Sequence, residues 1–201
     1  ILPHAAELLG RQEAQARLDH LGKEMPKLSE DLVPQAAPLG VVQKVLQNFL
    51  EEGIPIRDMR TIIETLAEWA PRSQDPEVLT AQVRMALGRS IVQQLYPSGD
   101  ELQVMSLDPQ LERILQQAIA GGGDGASIEP GLADTLVRET VAAAQRQEAL
   151  GLPAVLLVSG SLRTLLSRFL RRGVTQLKVL AHGEVPENKI IKVTSIIGGK
   201  A

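Results

Sequence analysis

The chain has 201 residues, 21 Lys and Arg against 24 Asp and Glu, and a formal net charge of −3. That balance is too small to call by itself for an electrostatic partner such as nucleic acid. The absence of cysteine excludes disulfides, thiolate catalysis and cysteine-based metal sites, while one Trp, one Tyr and two Phe speak against an aromatic platform for sugars or single-stranded bases.

The length suits one large domain or two small ones with a sizeable core. The most continuous apolar run, Ala154 to Val158, falls far short of the roughly 20 residues that span a bilayer. The opening Ile1-Leu2-Pro3-His4 has neither the basic lead nor the cleavage site of a signal peptide. With no initiator Met, and helical periodicity from the start, the chain is expected to be a fragment of a longer protein.

Residues 1–24 carry a helical alternation, with Leu8, Leu9, Leu18 and Leu21 inward, Arg17 and Asp19 outward, and Gly22 as the terminating residue. Pro26, Pro34 and Pro38 make a connector. A helix follows over 41–52, burying Val42, Val45, Leu46, Phe49 and Leu50, and Gly53 ends it. From Ile54 to Leu95 the spacing predicts two helices joined by a short loop. Met59, Ile62, Ile63, Leu66 and Ala70 share one face of the first, with Arg57, Arg60, Thr61, Glu64 and Glu68 opposite. The second starts at an Asp75 cap with Pro76 at its first position, and Leu79, Val83, Leu87, Ile91 and Leu95 make one stripe flanked by Arg84 and Arg89. Buried backs and ordered charged fronts suit a unit packed on one side and touched on the other.

Beyond Leu95 a half-buried strand is expected over Glu101–Leu107, then a helix capped by Asp108-Pro109 that stops at the glycine run 121–125. That run is the best domain boundary in the sequence. A helix from Pro130 to Leu150, strand Ala154–Val158, helix Ser161–Arg172, strand Gln176–Leu180 and strand Lys189–Ile197 complete a small α/β module whose first strand pair is parallel across a helical crossover.

Little of this carries chemistry. The glycine run follows a helix and lacks the Lys of a phosphate loop, so it reads as a linker. Ser159-Gly160-Ser161 lies between a strand and a helix, but neither serine has glycine two residues to either side, and Ser161 reads as a helix cap. His4, His20 and His182 are too scattered for a metal site, and no cofactor site is evident. Glu64 and Glu68 share their face with Arg57 and Arg60, which makes a salt-bridge stripe a better account than paired catalytic carboxylates. Arg163, Arg168, Arg171 and Arg172 form the most basic patch; phosphate or anionic-lipid contact is possible chemistry there, but a solvated helix face complementing the dipole accounts for it. The residues describe an interaction scaffold, and a small hydrolase or nucleotide-binding domain is the rival reading.

The segments LLGRQEAQ (8–15), MPKLSEDLVP (25–34), KVLQNFLEEGIPIRDMRTIIETLAE (44–68), LTAQVRMALGRSIVQQ (79–94), EPGLAD (129–134), PAVLLVSGSLRTLLSRFLRR (153–172) and IIGGK (196–200) resemble the cytoplasmic domain of the FlhA/SctV export-gate family of type III secretion. The SEDLVP segment and the IIGGK tail resemble the flagellar branch more than the injectisome branch. The resemblance implies a helix-rich α/β (α+β) fragment in several subdomains: the last helices of upstream subdomains plus connector over 1–35, a ring-forming third subdomain over 36–120, and a small βαβ-type fourth over 126–201. It further implies membrane helices upstream, a place on the cytoplasmic face of the bacterial inner membrane, and a nine-membered ring without enzymatic activity. The implied partners are flagellar export chaperones with their substrates and other export-apparatus proteins: the ATPase complex, its stalk and the switch protein. On this view Arg57, Arg60, Glu64, Glu68, Arg84 and Arg89 meet a neighbouring subunit, Asp19 and Gly22 border the chaperone cleft, and Gly121, Gly122 and Gly123 form a hinge.

Overall fold

The computed structural model describes residues 16, 19, 20, 23, 38–121 and 128–199. The expected helix over 1–24 and most of the proline connector lie outside them, although Asp19 itself is helical and exposed. The chain divides into two compact units, Ile1–Ile91 and Val92–Ala201.

In the first unit, helix α1 (Leu39–Glu51) buries Val42, Val45, Leu46 and Phe49 completely, as their helical spacing requires. Leu50 is only half-buried, and Asn48 takes the inward place instead. Gly53 ends the helix: its φ of 70° lets the Ile54 N–H reach back to Phe49 O at 2.9 Å. Helix α2 (Met59–Trp69) starts at Asp58, whose carboxylate accepts from the Thr61 N–H at 3.1 Å and the Thr61 hydroxyl at 2.7 Å. It buries Ile62, Ile63 and Leu66. Helix α3 (Pro76–Ala86) has the expected Asp75 cap, accepting from the Glu77 N–H at 2.9 Å, with Pro76 in the first turn. α3 packs against both α1 and α2.

The second helix of the central pair is not continuous. Leu87 leaves helical geometry, with φ −91° and ψ 4°, and α4 (Gly88–Leu95) begins after it. Glycine is a poor helix-interior residue, so the break falls where helix propensity is weakest. Leu79, Val83, Leu87 and Ile91 stay buried across it, because the Leu87 N–H still reaches Val83 O and the Ile91 N–H still reaches Leu87 O, both at 2.9 Å.

The second unit is a four-stranded, all-parallel sheet in the order β3-β2-β1-β4. Its elements run β1 (Glu101–Leu107), α5 (Pro109–Ala120), α6 (Pro130–Ala149), β2 (Val155–Val158), α7 (Gly160–Arg171), β3 (Lys178–Ala181) and β4 (Ile190–Ile197). One core joins Met105 and Leu107 of β1, Leu111 and Leu115 of α5, Ala143 of α6 and Leu166 of α7. β1 is therefore interior to the sheet, and the expected boundary at the glycine run is corrected. The helices that flank the run, α5 and α6, share one core, and the division falls at Ile91/Val92, because β1 finds its pairing partners only downstream. Sequence distance hid this, since β1 and β4 are separated by three helices.

β4 carries one extra residue against β1: Val104 pairs with Val193 and Met105 with Ser195, so Thr194 bulges. Its hydroxyl lies 2.6 Å from Gln147 Oε1 and 3.1 Å from Val104 O. Gln147, 1% exposed on α6, donates from Nε2 to Gln103 O at 3.1 Å. The Tyr96 hydroxyl donates to the same carbonyl at 2.7 Å, and burial pushes its pKa above the ordinary tyrosine value.

Candidate functional site

The expected contact surface is the outer side of α2 and α3. Helical spacing places Arg60, Glu64 and Glu68 in solvent opposite the buried Ile62–Ile63–Leu66 back, and Arg57, in the segment before the Asp58 cap, is exposed too. Arg60 Nε and Glu64 Oε1 are 2.9 Å apart, with side chains 63% and 46% exposed. That hydrogen bond, then the Glu64 charge, raises the Arg60 pKa. Water screens so exposed a pair, so its value is in patterning the surface more than in holding the fold. At the end of α2 the Arg72 guanidinium lies 4.7 Å from the centre of the Trp69 ring, a cation–π contact.

Arg84 does not belong to this surface. It is 2% exposed and its Nη1 sits 3.4 Å from Oε2 of Glu52, the residue that caps the C-terminus of α1. One turn away, Asn48 Nδ2 donates to Thr80 Oγ1 at 3.1 Å. Asn48 and Glu52, and likewise Thr80 and Arg84, are four residues apart on their helices, so two polar rungs cross the α1–α3 contact. Flanking an apolar stripe proved compatible with burial once a carboxylate from another helix was available. Arg89, on α4, is exposed as expected.

A second stripe on α3 went unread in the sequence. Val78 and Met85 are 40% and 43% exposed, with the exposed Ala81 between them. Their i, i+3, i+7 recurrence is the signal, masked by the stronger Leu79–Val83 stripe beside it. The outer surface of this unit thus combines a charged strip on α2 with an apolar strip on α3.

Elsewhere the candidates separate. Gly22, Gly122 and Gly123 lie outside the described residues, while Gly121 caps α5 with an ordinary φ of −74°. Residues of α5 and α6, the helices on either side of that run, share one core. Within the basic patch Arg163 is buried, donating to Val179 O at 3.5 Å and Thr164 Oγ1 at 3.3 Å; Arg168 and Arg172 are exposed. Ser159, not Ser161, stands at the α7 N-terminus, and its hydroxyl meets Gln116 Nε2 at 3.2 Å and Ser161 Oγ at 3.3 Å. Among the described residues neither serine meets a histidine.

The FHIPEP family matches residues 1–190. The flagellar biosynthesis protein FlhA of Escherichia coli (strain K12) is 58% identical over 200 residues, all of this chain, which spans 28% of that protein. The nonameric SctV-C of EPEC, solved by cryo-EM, aligns with TM-score 0.84 at 26% identity, covering 96% of this chain and 59% of that one. The Chlamydia pneumoniae CdsV and CdsO protein complex aligns with TM-score 0.87 at 25% identity over 96% of this chain and 56% of that one.

Proposed function

The chain belongs to the FHIPEP family, and from that membership we propose that it is part of the cytoplasmic platform of a flagellar type III protein-export gate. It works without enzymatic activity, as one subunit of a ring on the cytoplasmic face of the inner membrane, held there by helices outside this chain. The ring receives chaperone–substrate complexes and other export-apparatus proteins. The observation that carries the reading is the 58% identity to FlhA along the whole chain. The flagellar branch is favoured over the injectisome branch because the CdsV–CdsO and SctV-C structures stand at only 25% and 26% identity.

Ring formation draws support from the nonameric SctV-C, whose fold this chain shares. In the proposed contact Arg57, Arg60, Glu64, Glu68 and Arg89 supply charge and orientation, and Val78 and Met85 supply apolar area. Charged contacts at a rim set register and encounter rate more than affinity. An isolated chain therefore assembles weakly, and high local concentration at the membrane makes up the difference. Asp19 borders the chaperone site, most of which lies outside this chain.

The test is a charge swap. Arg60→Glu with Glu64→Arg keeps an ion pair within α2 but reverses the pattern a neighbouring subunit meets. Installed in the full-length gate, it is expected to reduce ring yield on cross-linking and to reduce motility, while the melting curve of the isolated chain stays in place. Unchanged ring yield and motility would remove this surface from the contact.

A further inference from the structure

The outer edge of β4 is the least explained surface of the second unit. β4 is the terminal strand of the sheet, paired with β1 on one side, and among the described residues no strand pairs with its other side. It runs for eight residues without proline. Ile190, Ile191, Val193 and Ile196 are 63%, 41%, 47% and 57% exposed. Natural sheets blunt such edges with short strands, prolines, charges or bulges. Here the bulge at Thr194 guards only the second half, leaving Ile190–Val193 in regular register with Glu101–Val104. The one charge in that half is Lys192, 61% exposed, whose Nζ makes a long, exposed ion pair with Glu101 Oε1 of β1 at 3.9 Å.

We propose that Ile190–Val193 receives an extended segment of another polypeptide by strand addition, an apolar segment with a carboxylate opposite Lys192. An open edge presents a row of backbone donors and acceptors, and only another extended backbone satisfies them in series. The aliphatic side chains on both faces favour β-branched partners, and Lys192, held only by a long exposed pair, favours an anion opposite it. A second copy of this chain fits poorly. In-register parallel pairing, and antiparallel pairing with the two-fold axis at residue 192, both set Lys192 against Lys192. The inference does not depend on the ring contact proposed for α2 and α3.

The probe is a ten-residue peptide of alternating valine and threonine with one central glutamate, acetylated and amidated at its ends. The readout is amide exchange over 190–196 of the chain, with a second peptide N-methylated at alternate amides as the control. Strand addition slows exchange at alternate amides of β4 by about tenfold or more with the first peptide and not with the second. Val193→Lys, at an exposed position, abolishes that slowing without moving the melting curve. Equal slowing by both peptides means side-chain adhesion and overturns the proposal, as does no slowing at all. Slowing without peptide that rises with protein concentration overturns it by making the edge a self-contact, and protection already present in a longer chain of the same protein overturns it by making the edge an internal one.

Discussion

A guanidinium taken out of water needs an opposite charge, because each buried ion costs several kcal/mol in lost hydration. Arg84 meets that condition with Glu52, which is 13% exposed and borders solvent. Replacing Arg84 with Met takes the guanidinium away from Glu52 and is expected to lower the unfolding free energy by about 3 kcal/mol. Replacing both, Arg84→Met with Glu52→Leu, is expected to lose less than the sum of the single changes. A double-mutant cycle in urea measures the difference. A purely intersubunit Arg84 gives a near-zero cycle in the isolated chain and would contradict the pairing. The sequence shows Arg84 beside the Leu79–Val83 stripe but not which of two fates a flanking arginine takes, since its partner lies 32 positions away on another helix. The exposure of Arg60 and Glu64 was legible because their environment is set within one helix turn.

Among elements, local signals translated well and non-local ones did not. Asp75-Pro76 and Asp108-Pro109 mark helix starts because a carboxylate cap and a fixed φ act over three residues. The break at Leu87 and the bulge at Thr194 depend on geometry that no short window holds. The bulge is fixed from α6, where Gln147 reaches Gln103 O and meets the Thr194 hydroxyl. Leucine at 147 removes both polar atoms while preserving bulk, leaving Thr194 without that acceptor and Gln103 O with Tyr96 alone. The expected cost is about 2 kcal/mol, the scale of a buried polar group deprived of its partner. Faster amide exchange should concentrate at 193–195. A variant that melts earlier with β4 exchange unchanged would mean that Gln147 serves the helix rather than the strand.

For the whole molecule, the sequence conveyed the class, helix-rich with a small parallel sheet, and misplaced the line between its parts. The five-residue glycine run 121–125 is the strongest compositional break, yet strand pairing outranks composition in deciding what folds together. β1 supplies the partner edge for both β2 and β4, and Leu111 and Leu115 of α5 reach the same core as Ala143 and Leu166. Removing everything before residue 126 would leave β4 with no strand beside it and β2 with only β3. A chain cut at Val92 keeps all four strands and all three helices of that core. Residues 92–201 are accordingly expected to melt cooperatively, with dispersed amide resonances, and residues 126–201 to show neither. Cooperative folding of the shorter piece would restore the glycine run as the boundary, because it would mean that the β2–β3 pair and its helices hold together without the strand between β2 and β4.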